Sequence, residues 1–423
     1  MLFLKTRRKT MSCLEERDEM FNLNEVLEDV KKACKNLDGI IKKTELVYSD
    51  FFSEECRNNV YLKPENLQFT GSFKIRGAYN KIVNLPESVK KNGIVASSAG
   101  NHAQGVAFSA NALGIPSKIV MPNVTPLIKI DATRKHGSEV IIHGDIYDDA
   151  YEKALEIAEN EGREFIHPFD DYDVICGQGT IGYEILEQLE NVDEILVPVG
   201  GGGLISGIAM AVKAINPNIR VIGVEPEGAL TMKTSLDNNR ITDLDYIQTS
   251  AEGVAVRRLG NLPFEIAREY VDGIISVSEQ DIMEALLMLI EKHKFVAETA
   301  GVLSLAALKK LTVSNKNIVC LLSGGNIDVV TISSMINKGL VSRGRIFCFS
   351  VDLPDTPGQL LKVSQILSEL RANVIKLDHN QFKAMDRLEN VQLEVTTETN
   401  GHDHINEIIA ALNKEGFSVN RVY

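Results

Sequence analysis

Three short segments carry residue types that chemistry needs. Pro198-Val199-Gly200-Gly201-Gly202-Gly203-Leu204-Ile205-Ser206-Gly207 sets four consecutive glycines between an apolar strand and an apolar helix. Without Cβ atoms the backbone closes around an anion, and N–H groups at the helix N-terminus face it. Two ligands fit that cup. One is a dinucleotide, because Glu225 ends the next strand about 20 residues on, where a ribose-binding acid would sit. The other is a single phosphate monoester, and a tight packing turn is the plainer alternative. The second segment, Lys63–Ala78, places Lys74 in a loop of glycine and hydroxyl residues, Thr70-Gly71-Ser72-Phe73-Lys74, ahead of a helix. An amine there can lose its proton and condense with a carbonyl, although Lys74 taken alone reads as a solvated surface charge. In the third, Leu321-Leu322-Ser323-Gly324-Gly325-Asn326, a strand runs into a hydroxyl and two glycines. Ser323 would face a flat ring at the C-terminal edge of the strand, where ligands bind in open α/β sheets.

Such segments need strand ends and helix starts to hold them. From Ile94 to about Asn337, short apolar runs read as strands: Ile94–Ala96, Lys118–Met121, Val140–Ile142, Ile195–Val199, Val221–Val224 and Ile318–Leu322. Helical stretches lie between them, at His102–Leu113, Ala150–Glu161, Thr180–Leu189, Leu204–Ile215 and Gln280–His293. Alternating strands and helices predict an α/β body of parallel sheets covered by helices. Near-continuous apolar strands fit sheets buried on both faces. The pattern changes after Asn337-Lys338-Gly339. Strand Arg345–Val351, a turn at Asp355–Gly358, helix Gln359–Leu370, strands near Val374–Asp378 and Val391–Thr396, a helix near Ile405–Asn413 and strand Ser418–Val422 follow. That is β-α-β-β-α-β, a ferredoxin-like α+β unit.

Composition removes several function classes. Lys and Arg number 45 against 58 Asp and Glu, a net charge of −13, which argues against a nucleic-acid or anionic-membrane partner. No apolar run approaches the roughly 18 residues that span a bilayer. The 6 cysteines (Cys13, Cys34, Cys56, Cys176, Cys320, Cys348) form no C-x-x-C pair, so reduced thiols in a cytoplasmic protein are expected. The basic start, Lys5 to Lys9, lacks the following apolar stretch of a secretory signal, and Glu15, Glu16, Asp18 and Glu19 do not suit a transit peptide. Residues 1–23 read as a flexible tail.

Taken together, Ser72-Phe73-Lys74-Ile75-Arg76-Gly77-Ala78, Ser98-Ala99-Gly100-Asn101-His102-Ala103-Gln104-Gly105, Gly200–Leu204 and Ser323–Asn326 resemble the pyridoxal-phosphate enzymes of the tryptophan synthase β (fold type II) superfamily, and within it the threonine/serine dehydratases. The four motifs fall in the family's order and approximate spacing over about residues 24–340. The resemblance implies a two-lobed body, the smaller lobe inserted at about 75–170, and pyridoxal 5′-phosphate as cofactor. It implies that Lys74 is the Schiff-base lysine, that Phe73 sits against the ring, and that Gly200, Gly201, Gly202, Gly203 and Leu204 hold the phosphate. Ser323 would meet the ring nitrogen and Asn101 the 3′-oxygen, while the Ser97–Asn101 loop, with Ser98, Ala99, Gly100 and Asn101, would take the substrate carboxylate. His102 reads as a packing residue at the helix start. The implied reaction converts L-threonine to 2-oxobutanoate and ammonia, with L-serine slower. A serine dehydratase, a serine racemase or a non-catalytic ligand sensor are the alternatives.

Two departures qualify the resemblance. Ala99 stands where related serine racemases carry the serine that acts as base on the second face, so racemisation should be weak. Those relatives also bind a divalent ion through a glutamate, a backbone carbonyl and an aspartate. Glu225 and Ala229 match, but Thr231 replaces the aspartate, and two ligands make a poor hard-cation site, so no metal is expected. Residues 345–423 resemble an ACT domain, a regulatory module. That resemblance implies a small-molecule effector near Asp355, Gly358 and Asn373, in a homo-oligomer, with a ligand-free pairing module as the plainer alternative.

Overall fold

The computed structural model describes residues 21–380 and 390–423. Most of the expected tail, with Cys13, lies outside the described residues. Its last residues are engaged: Phe21 stacks on Tyr172 and Leu23 begins a helix, Leu23–Leu37.

Three sheets organise the chain. The six-stranded sheet runs, in order, Val47–Tyr48, Asn59–Pro64, Asn317–Leu322, Glu194–Pro198, Arg220–Pro226 and Gly273–Val277, all parallel except the first. The four-stranded parallel sheet runs Glu139–Ile142, Ser117–Met121, Ile94–Ser97 and Glu164–Phe165. The inner strands are buried end to end, Ile94–Ser97 and Glu194–Pro198 at every position. This is why their sequences read as continuous apolar runs rather than alternations. Helix Gly203–Ile215 is likewise buried on nearly every face, between Tyr172–Gln188 and Asn261–Tyr270.

The third sheet is antiparallel, in the order Asn373–Asn380, Asn390–Glu398, Ile346–Pro354, Val419–Arg421, with helices Gln359–Glu369 and His402–Lys414 packed together. Phe347, Phe349, Val363, Leu393, Ile405 and Ile408 form its core.

Several elements differ from the expectations. The helix expected from Thr180 begins at Tyr172, because Asp171 caps it by accepting a bond from the Val174 N–H at 3.1 Å. Its Gly177 and Gly179 are points of close approach to Arg76, Gly77 and Gly207, not a loop. The change of pattern after Asn337-Lys338-Gly339 is not an element boundary. Helix Val329–Ser342 runs through it, and Gly339 is where the Leu287 side chain packs. The helix expected to reach His293 is α-helical only to Met288 and closes with a wider π turn over Leu289–His293. The short strands Asn59–Pro64 and Gly273–Val277 were not expected from the sequence, and their pairing with Asn317–Leu322 and Arg220–Pro226 defines them.

Candidate active site

The C-terminal ends of both parallel sheets face one cleft of about 1420 Å³. Strand Ile94–Ser97 delivers Ser98, Ala99, Gly100 and Asn101 from one lobe. Strands Glu194–Pro198 and Asn317–Leu322 deliver Gly200–Leu204 and Ser323 from the other. The segment carrying Phe73 and Lys74 is anchored between them. Ser72 bridges to Gly324, and the Phe73 N–H donates to Ser323 O at 3.1 Å. All the sequence-predicted cofactor and substrate residues therefore line one wall or another of the same cleft.

Helix Lys74–Asn84 is held by a charge cluster that the motif did not foretell, with Arg76, Glu65 and Lys63 fully buried and Glu184 nearly so. Arg76 forks onto Glu65, with Nε and Nη2 bonds of 2.8 Å each, and onto Glu184, with bonds of 2.6 and 2.9 Å. Lys63 Nζ donates to Glu184 at 2.7 Å, giving two cations against two carboxylates. The guanidinium beside Glu65 holds that carboxyl below its ordinary range despite complete burial, which works in the opposite direction. Arg76 thus fixes the turn of helix that starts at Lys74 and does not line the cleft.

Lys74 Nζ donates to the Pro168 carbonyl at 2.8 Å and lies 5.2 Å from the centre of the Phe73 ring. Burial lowers its pKa from 10.5 to about 8, opposed in part by Glu298. An appreciable neutral fraction at physiological pH is what a nucleophilic and basic amine requires. The Pro168 loop is itself pinned. His167 Nδ1 accepts from Phe169 N–H and from Asp170 N–H (2.8 Å), and burial pushes this imidazole down to about 4. Asp170 in turn accepts from Asn261 N–H at 3.0 Å and Leu262 N–H at 2.9 Å.

At the glycine loop, Gly202 is the N-cap of helix Gly203–Ile215 with φ +93°, and a Cβ there would meet Pro263 Cβ at 2.7 Å. The first-turn N–H groups of that helix lack intrahelical acceptors and open on the cleft. On the opposite wall Ser98 Oγ accepts from the Gly100 N–H at 3.1 Å, shaping the loop, and Ser97 Oγ is buried without a partner. His102 is buried at the helix start and donates from Nε2 to Ile166 O at 2.8 Å, and burial pushes its pKa down to about 3. It is a packing residue.

Asn101 is more entangled than the motif implied. Its Nδ2 donates to Glu298 at 2.6 Å and its Oδ1 accepts from Asn326 at 2.8 Å. Burial raises the Glu298 carboxyl to about 7. Glu298 and the side chain of Asn326 are site residues that sequence reasoning missed. Asn326 had a signal, its place at the end of a recognised motif, whereas Glu298 sits in the unremarkable run Val296-Ala297-Glu298-Thr299. Glu225 turns inward instead: both its oxygens accept backbone N–H groups, Met232 at 2.7 Å and Lys233 at 2.9 Å, which uses it as a helix cap and not as a ribose ligand. Thr231 Oγ1 is likewise taken, by Val256 O at 2.5 Å.

A two-lobed α/β body, with a half-buried amine, a glycine-lined helix N-terminus and a hydroxyl at a strand end around one cleft, defines a cofactor enzyme of the phosphate-and-carbonyl kind. These donors fit pyridoxal phosphate: an anion cup at Gly200–Leu204, an amine poised to lose its proton, and a hydroxyl rather than a carboxylate at Ser323. The family model for the pyridoxal-phosphate dependent enzymes matches residues 37–324, and the chain belongs to that family. It is 48% identical over 394 residues to a protein of Thermotoga maritima named L-threonine ammonia-lyase, covering 93% of this chain and 98% of that one. Among solved structures it resembles the processed form of threonine deaminase isoform 2 from Solanum lycopersicum (TM-score 0.72, 38% identity, covering 74% of this chain and 87% of that one). It also resembles maize serine racemase (TM-score 0.71, 33% identity, 75% and 98%).

Proposed function

We propose that the protein is an L-threonine ammonia-lyase that releases 2-oxobutanoate and ammonia and acts more slowly on L-serine. The observation that carries this reading is the Lys74 amine, depressed to about 8, in one cleft with the Gly200–Leu204 loop and the Ser98–Asn101 loop. The near-full-length similarity to the named Thermotoga protein supports the substrate. Bound pyridoxal phosphate supplies the electron-withdrawing ring that makes the substrate Cα proton acidic. The chain's own residues do the rest. N–H groups of the Ser98–Asn101 loop, at the start of helix Asn101–Ala112, bind the carboxylate. Neutral Lys74 Nζ takes the Cα proton. Loss of the β-hydroxyl as water follows, and hydrolysis of the resulting enamine gives the 2-oxo acid and ammonia. Ala99 offers no base on the second face, which favours elimination over racemisation. The test is 2-oxo acid release from L-threonine, L-serine and their D-forms by the intact protein and by Lys74→Ala. Near-normal turnover in that variant, or none from L-threonine in the intact protein, overturns the reading.

The C-terminal unit, 345–423, is read as an ACT-type regulatory module that binds a small effector, an amino acid, around Asp355, Gly358 and Asn373. Two observations support this. Gly358 caps helix Gln359–Glu369 at φ +96° with open space around it. The edge strand Asn373–Asn380 exposes Val374, Ile375 and Leu377, a face suited to pairing in a homo-oligomer. An effector coupling of about 1–3 kcal/mol shifts apparent threonine affinity roughly 5–150-fold. Removing residues from Arg345 onward should abolish the response to amino-acid effectors, and a truncated enzyme that keeps it refutes the assignment. No helix among the described residues is long and apolar enough to cross a membrane. Among the described residues Cys34, Cys56, Cys176, Cys320 and Cys348 are free thiols, which supports the cytoplasmic setting proposed here.

A further inference from the structure

Asn326 closes the Ser323–Asn326 run and has no part in the chemistry above. Its side-chain nitrogen donates twice, to Thr70 O and to Asn101 Oδ1, both at 2.8 Å. A backbone carbonyl only accepts, so Thr70 O dictates which way round the Asn326 amide sits. With both its N–H groups committed, Asn326 can meet Asn101 only as a donor, and Asn101 must answer with its oxygen. That turns Asn101 Nδ2 to the other side, where it donates to Glu298 Oε1 at 2.6 Å. An amide nitrogen carries two hydrogens. Glu298 takes one, and the other is left for the cleft.

We infer that Asn326 and Glu298 are positioning residues: an amide relay that starts at the Thr70 carbonyl holds Asn101 so that it presents an N–H, never its carbonyl oxygen, to the 3′-oxygen of bound pyridoxal phosphate. The inference rests on the proposed reading of Asn101 as the residue that meets that oxygen. Its chemical sense lies in the charge there. A donor stabilises the anionic form of the 3′-oxygen, whereas a flipped amide would set two oxygens against each other.

The backbone is shaped around this relay. Gly71, at φ +70°, leaves space that a Cβ would take 2.3 Å from Asn326 Oδ1. Gly325 N–H donates to Gly71 O at 2.8 Å, locking the two turns together. On the other side Glu298 N–H donates to Gly324 O at 3.0 Å, and a Cβ on Gly324 would fall 2.4 Å from Glu298 Oε1. The Gly324-Gly325 pair therefore admits both positioning side chains in addition to placing Ser323.

The experiment uses full-length holoenzyme and two readouts besides turnover: the dissociation constant of pyridoxal phosphate by equilibrium dialysis, and the absorption maximum of the bound cofactor. Asn326→Asp is nearly isosteric but cannot donate. It should weaken cofactor retention by about tenfold or more and shift the absorption maximum, the scale of losing a hydrogen bond to a charged group. Glu298→Ala should do the same. Glu298→Gln keeps an acceptor oxygen for Asn101 and should stay within about threefold of the parent, a rescue that simple space-filling does not explain for a polar end group. If Asn326→Asp does not accumulate as folded protein, the Glu298 pair decides. Asn101→Ala separates the two levels of the argument. If it alters both readouts while Asn326→Asp and Glu298→Ala alter neither, the relay is refuted and the reading of Asn101 stands. If Asn101→Ala alters neither, the reading of Asn101 falls and the relay with it.

Discussion

Replacing Lys74 with methionine should stabilise the cofactor-free protein at neutral pH, because the structure holds this amine where its charged form is disfavoured. Burial takes the pKa from 10.5 to about 8. At about 1.36 kcal/mol per tenfold change in proton affinity this corresponds to roughly 3 kcal/mol. Solvent in the open cleft screens part of it, leaving about 2 kcal/mol. The folded pKa lies below the unfolded one, so between about 8 and 10.5 the unfolded chain holds a proton that the folded chain has released. Stability therefore rises with pH across that window. Below it the whole penalty stands, and above it the penalty is gone. Methionine also forfeits the hydrogen bond to Pro168 O, worth about 1 kcal/mol at any pH. Lys74→Met should thus be more stable than the parent by about 1 kcal/mol at pH 7, and that advantage should vanish or reverse by about pH 10. Urea denaturation of both cofactor-free proteins at several pH values measures the gap, and titrations shared by the two cancel. A gap that stays constant from pH 7 to pH 10 refutes the account of Lys74 as a destabilised, activated amine.

Three further outcomes follow from other parts of the site. Arg76→Met strands Glu65 and Glu184 against Lys63 alone and should cost about 3–5 kcal/mol in denaturant unfolding. Arg76→Lys should recover only part, since one ammonium cannot fork onto two carboxylates. Gly202→Ala, forced to φ +93° and against Pro263, should raise the cofactor dissociation constant by about tenfold or more while the protein still folds, the strain being about 1–3 kcal/mol. Chiral chromatography of L-serine reactions should find D-serine formed at least about 10²-fold more slowly than pyruvate, the usual contribution of a missing general base. Comparable rates would contradict the role given to Ala99.

The motifs were legible because their chemistry constrains residue type at fixed offsets. A backbone cup for phosphate demands glycines beside a helix start, and Lys74 needs its hydroxyl-and-glycine loop. The buried strands announced themselves because a sheet covered on both faces favours continuous apolar runs, as at Ile94–Ala96 and Ile195–Val197, with polar residues only at a strand end, Ser97 and Glu194. The ferredoxin-like order of elements at the C-terminus followed from local periodicity, since each helix and strand there carries its own apolar repeat, although strand Ile346–Pro354 finds its partners far along the chain, in Asn390–Glu398 and Val419–Arg421. Tertiary structure decided what depends on partners distant in the chain. Arg76 has no assigned role in its motif until Glu65 and Glu184 close around it from other elements. Glu225 reads as a ligand until the strand end delivers it to the N–H groups of Met232 and Lys233. Glu298 lies 197 residues from Asn101, and only the meeting of the two lobes puts its carboxylate on that amide. Local sequence specifies the groups and the turns that bear them. Which hydrogens and charges those groups are left with is set by contacts across the cleft, because desolvation and hydrogen-bond satisfaction are properties of the assembled interior.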